Sequence, residues 1–163
     1  GDIAEGAARA ARGHQVLDRL LAGALHGAEP EADALVVERD EAELGGIDVG
    51  TLTCRLLIAE LSPDGQLREI RSDRRILRLG QDVDRDRRLR PDAMQRVVAT
   101  LNEWRRVMDD CGVGSFLVVA TSAVRDAQNR DDFLDLVRRE AQVQIEIISG
   151  EEEARRRQTA LDF

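Results

Sequence analysis

Phe116-Leu117-Val118-Val119-Ala120 is an unbroken apolar run. A strand of that kind has both faces covered, as a parallel strand between two layers does. A polar loop, Thr121 to Asn129, follows it. A helix is then predicted from about Arg130 to Ala141, with Phe133, Leu134, Leu136 and Val137 facing inward. Val143 to Ile148 reads as another buried strand, and Ser149-Gly150 leads into the acidic helix start Glu151-Glu152-Glu153. Alternating strands and helices build a layered sheet with crossover helices.

The chain upstream reads differently. Gly46 to Leu61 gives two strands around a tight loop at Gly50-Thr51-Leu52-Thr53. Ser62-Pro63-Asp64-Gly65 is a turn signal, and Gln66 to Leu79 continues as a third strand. Pro91 suits a first helical position. Met94, Val97, Val98, Leu101, Trp104, Val107 and Met108 then fall at helical spacing until Cys111-Gly112. The order βββαβαβα predicts an α/β domain with a mixed sheet.

Charge divides the 163 residues near Gly45-Gly46. Residues 1–46 hold ten acids and four arginines, whereas 47–163 are close to neutral. Ile3, Ala7, Ala10, His14, Leu17, Leu21 and Ala24 follow the spacing of a packed helix. The first part is therefore expected to be an acidic helical leader over 1–46, available for homodimerisation or docking, ahead of a domain over 47–163. No apolar run approaches the roughly 20 residues of a membrane span. Two cysteines are too few for a disulfide scaffold or a thiolate metal cage, and the expected compartment is the cytoplasm.

Three loops at the C-terminal ends of expected strands are where an α/β sheet places ligands. In Asp48-Val49-Gly50-Thr51-Leu52-Thr53, Gly50 permits a tight turn, and two threonine hydroxyls lie beside exposed amides. Asp48 could hold a magnesium ion or its waters. The same residues also make an ordinary hairpin. Thr121-Ser122 and Arg125 offer donors to a phosphate oxygen, or else a helix cap with a surface ion pair. Glu151 to Glu153 suit a helix N-terminus on dipole grounds alone. A carboxylate there, near bound phosphate, could equally take a proton from attacking water.

All 24 basic residues are arginines, and nine of them fall between Arg68 and Arg90 beside five acids. Guanidinium grips phosphate with a planar fork. That segment is either a polyanion-attracting edge or a solvated face with internal ion pairs. With three Phe, one Trp and no Tyr, stacking residues for nucleic acid are lacking.

Taken in order, these pieces resemble the N-terminal domain of the exopolyphosphatase / guanosine pentaphosphate phosphohydrolase family, within the actin-like superfamily. The resemblance rests on Ile47-Asp48-Val49-Gly50 followed by Arg55-Leu56-Leu57-Ile58, then Arg78-Leu79-Gly80. It continues with Ala120 to Ala127 plus Asn129, and with Ile148-Ser149-Gly150-Glu151-Glu152-Glu153-Ala154-Arg155. The resemblance implies an actin-like (ribonuclease H-like) fold. It also implies hydrolysis of terminal phosphoanhydride bonds of polyphosphate or guanosine pentaphosphate, usually with Mg2+.

By the same resemblance Glu153 would be the water-activating base and Asp48 the metal-associated carboxylate. Gly50, Thr51, Thr53, Arg55, Arg78, Thr121, Ser122 and Arg125 would contact phosphate. The sequence departs from the family at Leu52, where a polar amide is usual, and at the charged run Arg156-Arg157-Gln158-Thr159. The family's second domain, with its own phosphate loop, lies outside these residues. A non-catalytic binding module for polyphosphate, nucleotide or a protein partner is the alternative expectation.

Overall fold

The computed structural model describes residues 42–63 and 66–161, with side chains from Glu43 to Arg155. The expected leader helix lies outside the described residues. Strand β1 spans Ala42–Val49 and crosses the division near Gly46 that charge had suggested. It pairs antiparallel with β2 (Thr53–Leu61), which pairs antiparallel with β3 (Leu67–Ile76). On its other side β1 pairs in parallel with β4 (Ser115–Ala120), and β4 with β5 (Ile145–Ile147). The sheet order is β3-β2-β1-β4-β5, a meander joined to parallel crossover strands.

One short helix and one long helix connect β3 to β4. Helix α1 is a single turn at Val83–Asp86. Helix α2 spans Pro91–Asp110, with Pro91 at its start. Gly112, at φ +74, ends it: Gly112 N–H donates to Asp109 O at 3.1 Å and Val113 N–H to Met108 O at 2.9 Å. This is the doubled bond pattern of a left-handed helix stop, which glycine enters without a Cβ clash.

The polar stretch after β4 is not wholly loop, because Ser122–Asp126 forms a one-turn helix, α3. A helix that short leaves no apolar periodicity to read. Helices α4 (Arg130–Ala141) and α5 (Gly150–Leu161) fall where the pattern places them.

Alternation sorts the strands onto two faces. Ile47 and Val49, Cys54, Leu56 and Ile58, and Val118 and Ala120 join α2 and α4 in the main core, around Trp104, Leu101 and Phe133. Residues of opposite parity, Leu44, Leu57, Ala59 and Leu61, make a second apolar cluster. Val119 meets Ile148 in a third. The central strands are thus apolar on both sides, which is why their sequences run without polar alternation. Asp48 is the exception, a carboxylate 7% exposed on the second face. Among the described residues no helix is long and apolar enough to cross a membrane.

Candidate active site

The β1–β2 turn is built around the absence of a side chain at Gly50. Its N–H donates to Thr53 O at 3.2 Å, and a Cβ there would stand 2.6 Å from that same oxygen. The turn is therefore closed to alanine. Asp48 precedes it on β1, directly opposite Arg55 of β2 in the register. Opposite residues of an antiparallel pair project on one face, so Asp48, Thr53 and Arg55 share the second face of the sheet.

Asp48 is also felt on the main-core face. Burial, then the Asp48 carboxylate, pushes the Cys54 thiol up to about 12, against a smaller lowering from the Gly50 backbone. At pH 8 the Cys54 thiolate is then on the order of one part in ten thousand, because each pKa unit is a factor of ten. A thiol reagent is expected to label the half-buried Cys111 alone in the folded chain and both cysteines after unfolding. Two rapid equivalents from the native protein would overturn that account.

The first loop is tied to the second. Thr51 Oγ1 and Ser122 Oγ lie 3.0 Å apart in a hydrogen bond, across 71 residues of chain. Gly80 lies beneath this contact. Its N–H donates to Thr51 O at 2.8 Å. A Cβ on Gly80 would press well inside contact with Thr51 Cγ2 and stand 3.2 Å from Ala123 Cβ.

Gly80→Ala should therefore cost about 1–3 kcal/mol through overpacking. Thr51→Ser, which removes the offending methyl and keeps the hydroxyl, should restore most of that loss in the double variant. Thermal melts of the two single variants and the double variant form the cycle. Additive losses would show that the methyl contact is not the cause.

Arg125 lies on α3, and its Nη1 donates to Ile148 O at 3.0 Å. The same nitrogen stands 4.0 Å from Glu153 Oε2. Arg125 Nε is also 3.6 Å from Asp126. Glu153 is positioned by its helix start: Ser149 Oγ accepts Glu152 N–H at 3.1 Å, and Ser149 O accepts Glu153 N–H at 2.9 Å. With its side chain 17% exposed, Glu153 is half-buried beside the guanidinium.

Ile148 N–H donates to Ala120 O at 3.1 Å, while Val49 and Ala120 are partners in the β1–β4 register. All three loops therefore leave one end of the sheet. Thr121 is buried at the junction of β4 and α3.

The backbone of Arg78 braces the first loop. The Arg78 N–H and that of Leu77 both donate to Leu52 O at 3.0 Å, Arg78 at a left-handed φ of 54, and its side chain is exposed. Leu52, 53% exposed, thus serves the loop through its carbonyl.

Two further residues shape the site without having been given a role from sequence. Gly80 is one. Asn129 is the other: its amide accepts Leu89 N–H at 2.8 Å and donates to Leu89 O at 2.9 Å, fully enclosed. With Gln128 N–H donating to Arg87 O at 2.7 Å, this clamps the arginine-rich segment to the α3–α4 junction. The motif contained both residues, but only three-dimensional proximity reveals what they touch.

The sequence model of the Ppx/GppA phosphatase family matches residues 57–161. The chain belongs to the Ppx/GppA phosphatase family. Exopolyphosphatase 1 of Mycobacterium tuberculosis is 32% identical over 112 residues, covering 69% of this chain and 33% of that protein. A guanosine-5'-triphosphate,3'-diphosphate pyrophosphatase of Aeromonas hydrophila is 35% identical over 109 residues, covering 67% of this chain and 22% of its own length. The crystal structure of the Aquifex aeolicus family member superposes with a TM-score of 0.68 at 34% identity, over 71% of this chain and 38% of that one.

The chain thus spans well under half the length of these relatives. The likeness to the Aquifex Ppx/GppA structure agrees with the actin-like fold that the motifs imply.

Proposed function

We propose that the Ppx/GppA chain forms one wall of a phosphoanhydride hydrolase site that removes terminal phosphate from polyphosphate or guanosine pentaphosphate. The observation that carries this is the approach of Arg125 to Glu153 at 4.0 Å, at the sheet end where the Thr51–Ser122 hydroxyl pair lies. In this reading Glu153 takes a proton from water as the water oxygen bonds to the terminal phosphorus. The bond from that phosphorus to the bridging oxygen breaks, orthophosphate is released, and the shortened anion leaves with the bridging oxygen. Arg125 offsets negative charge on the transferred group. The hydroxyls of Thr51, Thr53, Thr121 and Ser122, with Arg55 and Arg78, hold the chain of phosphates. Names of relatives support both substrates.

The donor set suits magnesium, which binds through one or two carboxylates together with substrate phosphates. Asp48, whose Oδ1 is buried at the end of β1, is the carboxylate that would hold it. Among the described residues no three His, Cys, Asp or Glu side chains make a protein cage. When bound, the ion would supply charge neutralisation on the phosphates. Two free thiols support a reducing, cytoplasmic setting.

Release of inorganic phosphate by the full-length protein, from polyphosphate and from guanosine pentaphosphate, tests the reading. No release from either would sink it. Leu52 favours a second reading, a binding module without turnover, because an exposed leucine stands where a phosphate donor is expected. Binding of both anions with no release would select that reading.

A further inference from the structure

On the face that carries Asp48, one row of residues crosses the meander. Asp48 of β1 is the register partner of Arg55 of β2, and Arg55 is the partner of Arg74 of β3. Partners of this kind have Cβ atoms about 4.5–5.5 Å apart on one face, and two like charges there repel. Arg74 is exposed, and its guanidinium enters no ion pair among the described residues.

Its neighbours on β3 are spent elsewhere. Asp73 and Arg75 project toward α2, where Asp73 takes the Trp104 indole N–H at 2.8 Å and Arg75 grips Glu103 at 2.6 and 2.8 Å. The residues beside Arg74 on its own face are Ser72 and Ile76 of β3, and Thr53 and Leu57 of β2. None is acidic. The row thus sets the Asp48 carboxylate beside Arg55 and no carboxylate beside Arg74, two strands from Asp48.

We infer that Arg74 extends the phosphate site sideways across the sheet. Together with Arg55 it makes a subsite for the later phosphates of a polyphosphoryl chain whose terminal group lies at the Gly50 loop. The inference rests on the phosphohydrolase reading for the terminal position and adds the direction in which the rest of the anion runs. Paired guanidinium forks suit consecutive phosphates, since each fork takes two oxygens. An anion between the two arginines also removes the repulsion that their register imposes. A single orthophosphate needs only the loop. A chain of phosphates uses both.

Calorimetric titration of the full-length protein with orthophosphate, inorganic tripolyphosphate and guanosine pentaphosphate tests this. Arg74→Gln is expected to weaken tripolyphosphate roughly tenfold or more, the range of one charged hydrogen bond, and to leave orthophosphate unchanged. A matching loss with guanosine pentaphosphate would show that its 5'-phosphates take the same row. A loss with only one of the two anions would identify which of them does.

Arg139→Gln, a charge removed from the exposed side of α4, is the control and should leave all three titrations unchanged. Unchanged tripolyphosphate and guanosine pentaphosphate affinity in Arg74→Gln overturns the inference. So does an equal loss in the Arg139 variant, or an equal loss with orthophosphate. If the wild-type protein binds none of the three anions, the phosphohydrolase reading falls with it.

Discussion

Glu153→Gln is expected to lower phosphate release at least about a hundredfold, the lower end of what a positioned general base contributes. The substitution keeps shape and the α5 helix start, because Ser149 caps the helix through the Glu152 and Glu153 backbone rather than through the Glu153 carboxylate. It removes proton-accepting capacity and one negative charge beside Arg125. Anion binding should therefore hold or tighten while turnover collapses. That split, kcat down with the dissociation constant for orthophosphate unchanged or lower, separates a catalytic carboxylate from a structural one.

Glu152→Gln supplies the contrast. Glu152 pairs with Arg155 within α5, and its replacement should leave release near the wild-type rate. Equal activity of the Glu153→Gln and wild-type proteins would remove Glu153 from the mechanism.

Much of this arrangement is legible in the sequence. The apolar run at 116–120, the alternating apolar positions of 143–148, and helical spacing from Met94 to Met108 follow directly from which faces are buried, so β4, β5 and α2 could be read from them. The end of β1 was harder. Ala42 and Glu43 lie in an acidic stretch, and charge composition hid a strand whose pairing to Leu61 and Glu60 is made by backbone groups. Helix α3 is indistinguishable from loop in the sequence because five residues cannot display a period.

The site divided in the same way. Residue type and motif made Asp48, Gly50, Arg125 and Glu153 candidates in the sequence. What brings them together did not. The Thr51–Ser122 bond, the methyl packed on Gly80 and the Asn129 clamp join segments tens of residues apart. One sequence offers no local signal for such contacts.

Trp104→Ala should be among the most destabilising single changes in the chain, at about 3–5 kcal/mol, because the indole is fully buried in the main core. Trp104→Phe should cost less, about 1 kcal/mol for the lost hydrogen bond to Asp73. The smaller variant is the more informative. Burial pushes the Asp73 carboxyl up, but the Trp104 indole, the Arg74 backbone N–H and Arg75 outweigh it and hold the group below its usual value of 3.8.

A carboxyl depressed by folding contributes stability above its unfolded pKa and loses it as pH falls through the folded one. Trp104→Phe should thus be most destabilised near neutrality, with the gap to wild type narrowing below about pH 3.8. A gap constant with pH in denaturant melts would mean that the indole acts by packing alone.

The same network bears on function through strand alternation. β3 is an edge strand with most of its residues exposed, and Asp73 and Arg75 bind it to α2 through Trp104 and Glu103, with the Arg75 guanidinium 5.7 Å from the indole centre. Because side chains alternate, holding 73 and 75 against the helix turns Arg74 onto the opposite face, in line with Arg55 and Asp48. Loosening the tryptophan should therefore weaken tripolyphosphate binding as well as stability, although the indole lies on the far side of the sheet from the anion.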